Sequence, residues 1–138
     1  MRDERQNVSA AFYISVEFQH TGYLVERIYK AAYGDATGMS SCCPVPRAPH
    51  SISVPVIRLN EFLADTQEIG QGVIVNQAGW ETTLENNKQA FAAEFVQRSR
   101  FTTGFPTRLT PAQFVDKLNV NAGGPLSQAE RDQLVNDL

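Results

Sequence analysis

Trp80, Leu84, Phe91 and Phe95 recur at spacings of four, seven and four residues. Those intervals return side chains to one face of an α-helix. Glu81, Glu85, Lys88 and Gln89 supply a polar side, so the spacing predicts one helix over 80–101 whose aromatic face has to be buried. Covering it takes other amphipathic segments, and five more are legible. Residues 3–19 carry Val8, Ala11, Phe12, Ser15 and Phe18 near one face, widened by Ile14 and Val16. His20-Thr21-Gly22 breaks that pattern, Thr21 being suited to cap a helix over 22–33 with Leu24, Ile28, Ala31 and Ala32 on its stripe and Gly34 as its stop. Residues 57–69 follow, with Leu59, Phe62, Leu63 and Ile69 on their buried side, and Val73-Ile74-Val75 after them reads as a short buried extended run. Thr110-Pro111-Ala112-Gln113 is a helix start ahead of Phe114, Val115 and Leu118, and Ser127-Gln128-Ala129-Glu130 is a capping box ahead of Leu134, Val135 and Leu138.

The expected fold is therefore all-α, about six helices in a compact bundle, with one long loop over 34–55 and at most a minor β segment, placed at 51–56. The expected core is Phe12, Leu24, Ile28, Phe62, Trp80, Phe91, Phe95 and Phe114. A chain of 138 residues with 42% hydrophobic and 20% charged composition is long enough to bury such a core without disulfides or metal. The net charge of −3 argues against nucleic acid as the main partner, since phosphate binding calls for a basic excess. No apolar run reaches transmembrane length, and Met1-Arg2-Asp3-Glu4-Arg5 is not followed by the apolar stretch of a signal peptide.

Cys42 and Cys43 are the two cysteines and are adjacent, a spacing unsuited to a disulfide framework. Free thiols, an intermolecular disulfide, a vicinal disulfide or a metal site with His50 all remain open. Cys42, Cys43 and His50 also sketch a thiol-dependent hydrolase. No acid is placed to orient the histidine, and a catalytic thiol would be alkylated faster than a model thiol. His20 and His50 are the two histidines, and His20 reads as a helix-end residue. No Walker loop, dinucleotide glycine fingerprint or His-Glu-x-x-His occurs. Asp65 with Glu68, and Glu81 with Glu85, stand at helical spacing and read as solvated faces. Asn7-Val8-Ser9 matches the glycosylation triplet within a predicted helix.

Asn119 to Glu130 has the length of an EF-hand loop between two predicted helices. Asn119, Asn121, Ser127 and Glu130 would supply oxygens, Gly124 the sharp turn and Leu126 the apolar eighth position. The first ligand is Asn instead of Asp, and one carboxylate neutralises a divalent ion poorly. A Gly-Gly-Pro turn followed by a capping box accounts for the same residues. No cofactor is expected, calcium being the one metal the pattern admits, and calcium is not expected to be needed for folding.

Three stretches resemble a bacterial family of domains of unknown function related to the phycobilisome linker domain. Val8 to Gln19, closing in Ser15-Val16-Glu17-Phe18, is similar to its repeat-ending helix. Tyr23 to Gly34 is similar to its repeat-opening helix. Gly79 to Phe101 with Phe114 to Leu138 is similar to forms in large exported proteins of acidobacteria. The usual Arg-x-Pro-Asp after the opening glycine is replaced here by Asp35-Ala36-Thr37-Gly38. The resemblance implies an all-α fold, with 1–20 closing one repeat and 21–138 forming a helical domain. It also implies an extracellular or cell-surface setting and no catalytic residues. The chain begins and ends in predicted helix, which reads as a cut from a longer polypeptide. The expected role is thus a non-catalytic structural or interaction module. Its partners would be neighbouring domains or copies of itself, met through Ile14 or Val16 at one end and Leu134 or Leu138 at the other, without nucleic acid and without membrane insertion.

Overall fold

The computed structural model describes residues 18–40 and 50–138. The helix expected over 3–19 lies outside them except for its last two residues, as do Phe12, Ile14, Val16, Cys42 and Cys43. The fold is all-α. A π-helical turn at Phe18–Gly22 leads into α1 (Tyr23–Tyr33). The strands β1 (Asp35–Ser40) and β2 (His50–Pro55) follow, then α2 (Leu59–Gly70), α3 (Trp80–Phe95), α4 (Ser99–Gly104), α5 (Pro111–Ala122) and α6 (Gln128–Asn136). The described residues fall into two compact units, 18–28 with 58–103 and 29–40 with 50–57 and 104–138.

In the first unit the break expected at His20-Thr21-Gly22 takes the form of the π-turn, which runs on into α1. Gly22 lies at a close approach there, because a Cβ would meet the Phe62 ring at 3.0 Å and the Phe18 ring at 3.1 Å and both rings would have to shift. The buried face of α1 is set by Thr21 and Val25 and, beyond the unit boundary, by Tyr29 and Ala32. Leu24 and Ile28, expected in the core, are only half-buried. α1 is apolar around more than half of its circumference, so periodicity alone left its rotation open by one residue. α2 and α3 pack together, burying Ile69, Leu84, Phe91 and Phe95. The Asn87 side-chain amide of α3 donates to the carbonyls of Ile69 and Gln71 at 3.0 and 2.8 Å, capping the end of α2.

Further expectations fail in this unit: Leu59 and Leu63 are 73% and 51% exposed, because the helix turns Asp65 and Ile69 inward. Val73-Ile74-Val75 is neither a strand nor buried, and Ile74 is 62% exposed. Gly72, Asn76 and Gly79 all have positive φ, so this linker is a succession of tight turns that cannot extend. The helix predicted over 80–101 also ends early. After Phe95 the amide of Gln97 bonds to Glu94 and that of Arg98 to Phe95, a tightening to three-residue closure, before α4 restarts at Ser99. The break turns Phe101 back edge-on to Phe95, with ring centroids 5.7 Å apart. Phe101 is thereby buried beside Phe91 and Phe95. Trp80 and Phe62 are half-buried at the margin of this core.

In the second unit Gly34 (φ +73°) ends α1 as expected, its amide bonding to the Lys30 carbonyl at 2.8 Å. The stretch expected to be loop is paired backbone at both ends. β1 and β2 form an antiparallel ladder from Asp35 opposite Pro55 to Ser40 opposite His50, and this is the minor β segment of the fold. Pro and Gly content signalled a loop, but Pro55 sits at the end of the ladder and Gly38 is tolerated in a two-stranded ribbon. α5 and α6 form a helical hairpin. Thr110 and Ser127 cap them as the sequence indicates, each closing a reciprocal box with Gln113 or Glu130. Phe105 and Val115 are buried, and Phe105 lies edge-on to the half-buried Phe114 at 5.3 Å.

Candidate functional site

The Asn119–Glu130 segment is the α5–α6 turn. Gly123 (φ +96°) caps α5, and the amide of Gly124 (φ +74°) bonds to the Asn119 carbonyl at 2.8 Å. The four oxygen-bearing side chains make separate local contacts. Asn119 Oδ1 accepts from the Leu126 amide at 3.0 Å. Asn121 turns its amide nitrogen to the Ala31 and Ala32 carbonyls at 3.0 and 2.9 Å, tying α5 to the end of α1. Ser127 donates from its amide and its hydroxyl to Glu130 Oε2 at 2.8 and 2.7 Å. Those bonds from Ser127 hold the Glu130 carboxyl below its ordinary value. Among the described residues no three of His, Cys, Asp and Glu are grouped to hold a metal.

Of the thiol–histidine set, only the His50 backbone is described, opposite Ser40 at the open end of the β-ladder. Nine residues join the two strands there, Cys42 and Cys43 among them. His20 is exposed at the π-turn with its ring edge-on to Trp80, centroids 6.3 Å apart.

The carboxylates divide otherwise than expected. Glu68, Glu81 and Glu85 are exposed, as a solvated face requires, but Asp65 is 4% exposed. Arg98 grips it with both terminal nitrogens, at 2.9 and 2.8 Å, while its Nε bonds to Glu94 at 2.8 Å. The guanidinium lies over the rings of Phe91 and Phe95, 5.6 and 5.2 Å from their centroids. This clasp ties α2 to the chain just where α3 breaks. Its residues are 33 positions apart, and no local pattern announces it. In the second unit Arg131 makes a comparable fork to Asp116 and adds Asp132 at 3.0 Å. The Arg131 hydrogen bonds hold the Asp116 carboxyl below its ordinary value and push the guanidinium up.

Each unit also carries concave surface. In the second unit a basin of about 240 Å³ is lined by Phe114, Leu118, Leu126, Leu134 and Leu138. A second basin, of about 300 Å³, shares Phe114 and Leu138 with it and continues past Phe105 and Leu109. Leu134 of α6 is 44% exposed and Leu138, just past its end, 69%, so the rim of this basin is apolar and open to solvent. In the first unit a cleft of about 190 Å³ opens beside His20 and Trp80. No described helix is long and apolar enough to cross a membrane. Compared with family profiles, with curated proteins and with solved structures, the chain matches none of them.

Proposed function

We propose that this chain is a non-catalytic helical interaction module of a larger exported or cell-surface bacterial protein, working through contact with neighbouring domains or with further copies of itself. The observation that carries the reading is the apolar trough of the second unit, where Phe114, Leu118, Leu126, Leu134 and Leu138 line one continuous depression. Contiguous exposed apolar surface of this kind costs free energy in water and is recovered by covering it. Among the described residues, Glu130 is engaged in a helix cap, Asn121 against backbone carbonyls, and Asp65 and Asp116 in arginine forks. The exported setting rests on the resemblance alone, above all that of Gly79 to Phe101 with Phe114 to Leu138.

The test is the apparent mass by light scattering over a range of protein concentrations. A mass that rises with concentration in the native chain, and stays monomeric in Leu134→Glu, supports the reading. A strict monomer at high concentration overturns self-association as the mode of action.

A further inference from the structure

We propose that the first unit binds a small, neutral aromatic molecule carrying one O–H or N–H donor, in the cleft beside Trp80. The cleft measures about 190 Å³. Dry apolar cavities of roughly 150 Å³ take up benzene, so the space suits one ring with a substituent. Val73, Val75, Leu84 and Trp80 supply apolar walls, and Thr21 and Gly70 close the inner side. Leu84 and Thr21 are themselves buried, at 4% and 6% exposure, so the inner part of the site is fixed by packing before any guest enters.

The polar groups around the cleft specify the chemistry. Among its described lining residues there is no Asp, Glu, Lys or Arg. A charged guest would give up its hydration and meet no countercharge, so the site selects against ions. The Thr66 hydroxyl donates its proton to the Phe62 carbonyl at 2.6 Å. What it retains for a guest is acceptor capacity, which calls for a donor on the guest. Gln67 and His20, both exposed, stand at the mouth and can exchange hydrogen bonds with a substituent that reaches water. The His20 ring meets Trp80 edge-on, at 73° between planes. Gly70 keeps the space open. A Cβ there would meet nothing nearer than Thr21 Cγ2 at 4.0 Å, so the protein tolerates a larger side chain at this position and the cleft would lose volume to it.

Trp80 is the one tryptophan of the chain, so its fluorescence and its indole N–H resonance report on the cleft and on a small polar recess beside Gln77 and Thr83 that Trp80 also lines, and variants at Thr66 and Gly70, which line the cleft and not the recess, tell the two apart. Phenol is the probe, with benzoate as its charged counterpart. Phenol is expected to shift the Trp80 resonance saturably, and benzoate to need at least tenfold higher concentration for the same shift. Thr66→Val is expected to weaken phenol roughly tenfold, the loss of one hydrogen bond. Gly70→Val is expected to abolish saturation, and if the valine variant unfolds, Gly70→Ala, whose Cβ meets Thr21 Cγ2 at 4.0 Å, is expected to weaken phenol binding. A linear, unsaturating response to phenol overturns the proposal, as does equal binding of benzoate or unchanged binding in the folded Gly70 variant. A Trp80 shift that appears on concentrating the protein without phenol, and vanishes in the Gly70 variant, assigns the cleft to a second copy and likewise overturns it.

Discussion

Two arginines each grip an aspartate with a two-pronged fork, one in each unit, and the arginines are equally accessible: 25% for Arg98 and 26% for Arg131. The aspartates are not. Asp65 retains 5% side-chain exposure where Asp116 retains 49%. Asp65 has exchanged its water for Arg98, so the pair has become a condition of the fold: take away Arg98 and a buried carboxylate loses its bidentate countercharge. Asp116 keeps water as an alternative partner, so its fork orients the α5–α6 hairpin while contributing little to stability. Similar geometry thus has different consequences, and the difference lies in what surrounds the carboxylate. The aromatic rings follow the same division. Phe91, Phe95 and Phe101 are closed over in the first unit, whereas Phe114 of the second is half-buried and borders an open trough.

The largest expected effect tests the aromatic side of this contrast. Phe91→Ala should cost about 3–5 kcal/mol in chemical denaturation, the range for a fully buried phenylalanine, and Phe114→Ala clearly less. Equal losses would show that the trough is as closed as the core. Next comes the clasp. Asp65→Ala should cost about 1.5–3 kcal/mol, the loss of hydrogen bonds to a charged group, since Arg98 keeps Glu94. Asp116→Ala should have a far smaller effect on the same measurement. Parity between the two would break the comparison.

The pH dependence sharpens it. Asp116 and Glu130 titrate below their ordinary values of 3.8 and 4.5 in the folded chain. In acid the unfolded chain therefore takes up protons first, and the stability these groups contribute is present above their ordinary values and lost as pH falls through the lowered ones. Thermal midpoints should decline along this limb, and Asp116→Asn with Glu130→Gln should flatten it by lowering the midpoint near neutrality by as much as the native chain loses in acid. A double variant that keeps the full acid decline would place its origin elsewhere. The smallest expected effect is a null one. Calcium at micromolar concentration should leave the thermal midpoint unchanged, since Asn119, Asn121 and Glu130 are each held by other partners in the α5–α6 turn. A rise of several degrees would make them ligands.

Much of the secondary structure was written locally. Thr110-Pro111 and Ser127 with Glu130 mark helix starts by supplying oxygens or a fixed φ where four amides lack partners, and Gly34 and Gly123 mark ends because their positive φ is free of Cβ strain. The all-α class, the stop of α1 and the α5–α6 turn follow from such signals without knowledge of the rest of the chain. Four features were decided only when distant segments met. α1 turned Val25 and Tyr29 inward in place of Leu24 and Ile28. The 80–101 helix broke so that Phe101 could return to Phe95. The two arms of the expected loop paired. Asp65, indistinguishable in sequence from a solvated helix carboxylate, was buried under an arginine 33 residues away. Caps and stops are satisfied within a few residues and so can be read from those residues. The choice among several apolar faces, and the partner of a buried charge, depend on surfaces brought together by the whole fold, and there tertiary packing outweighs local preference.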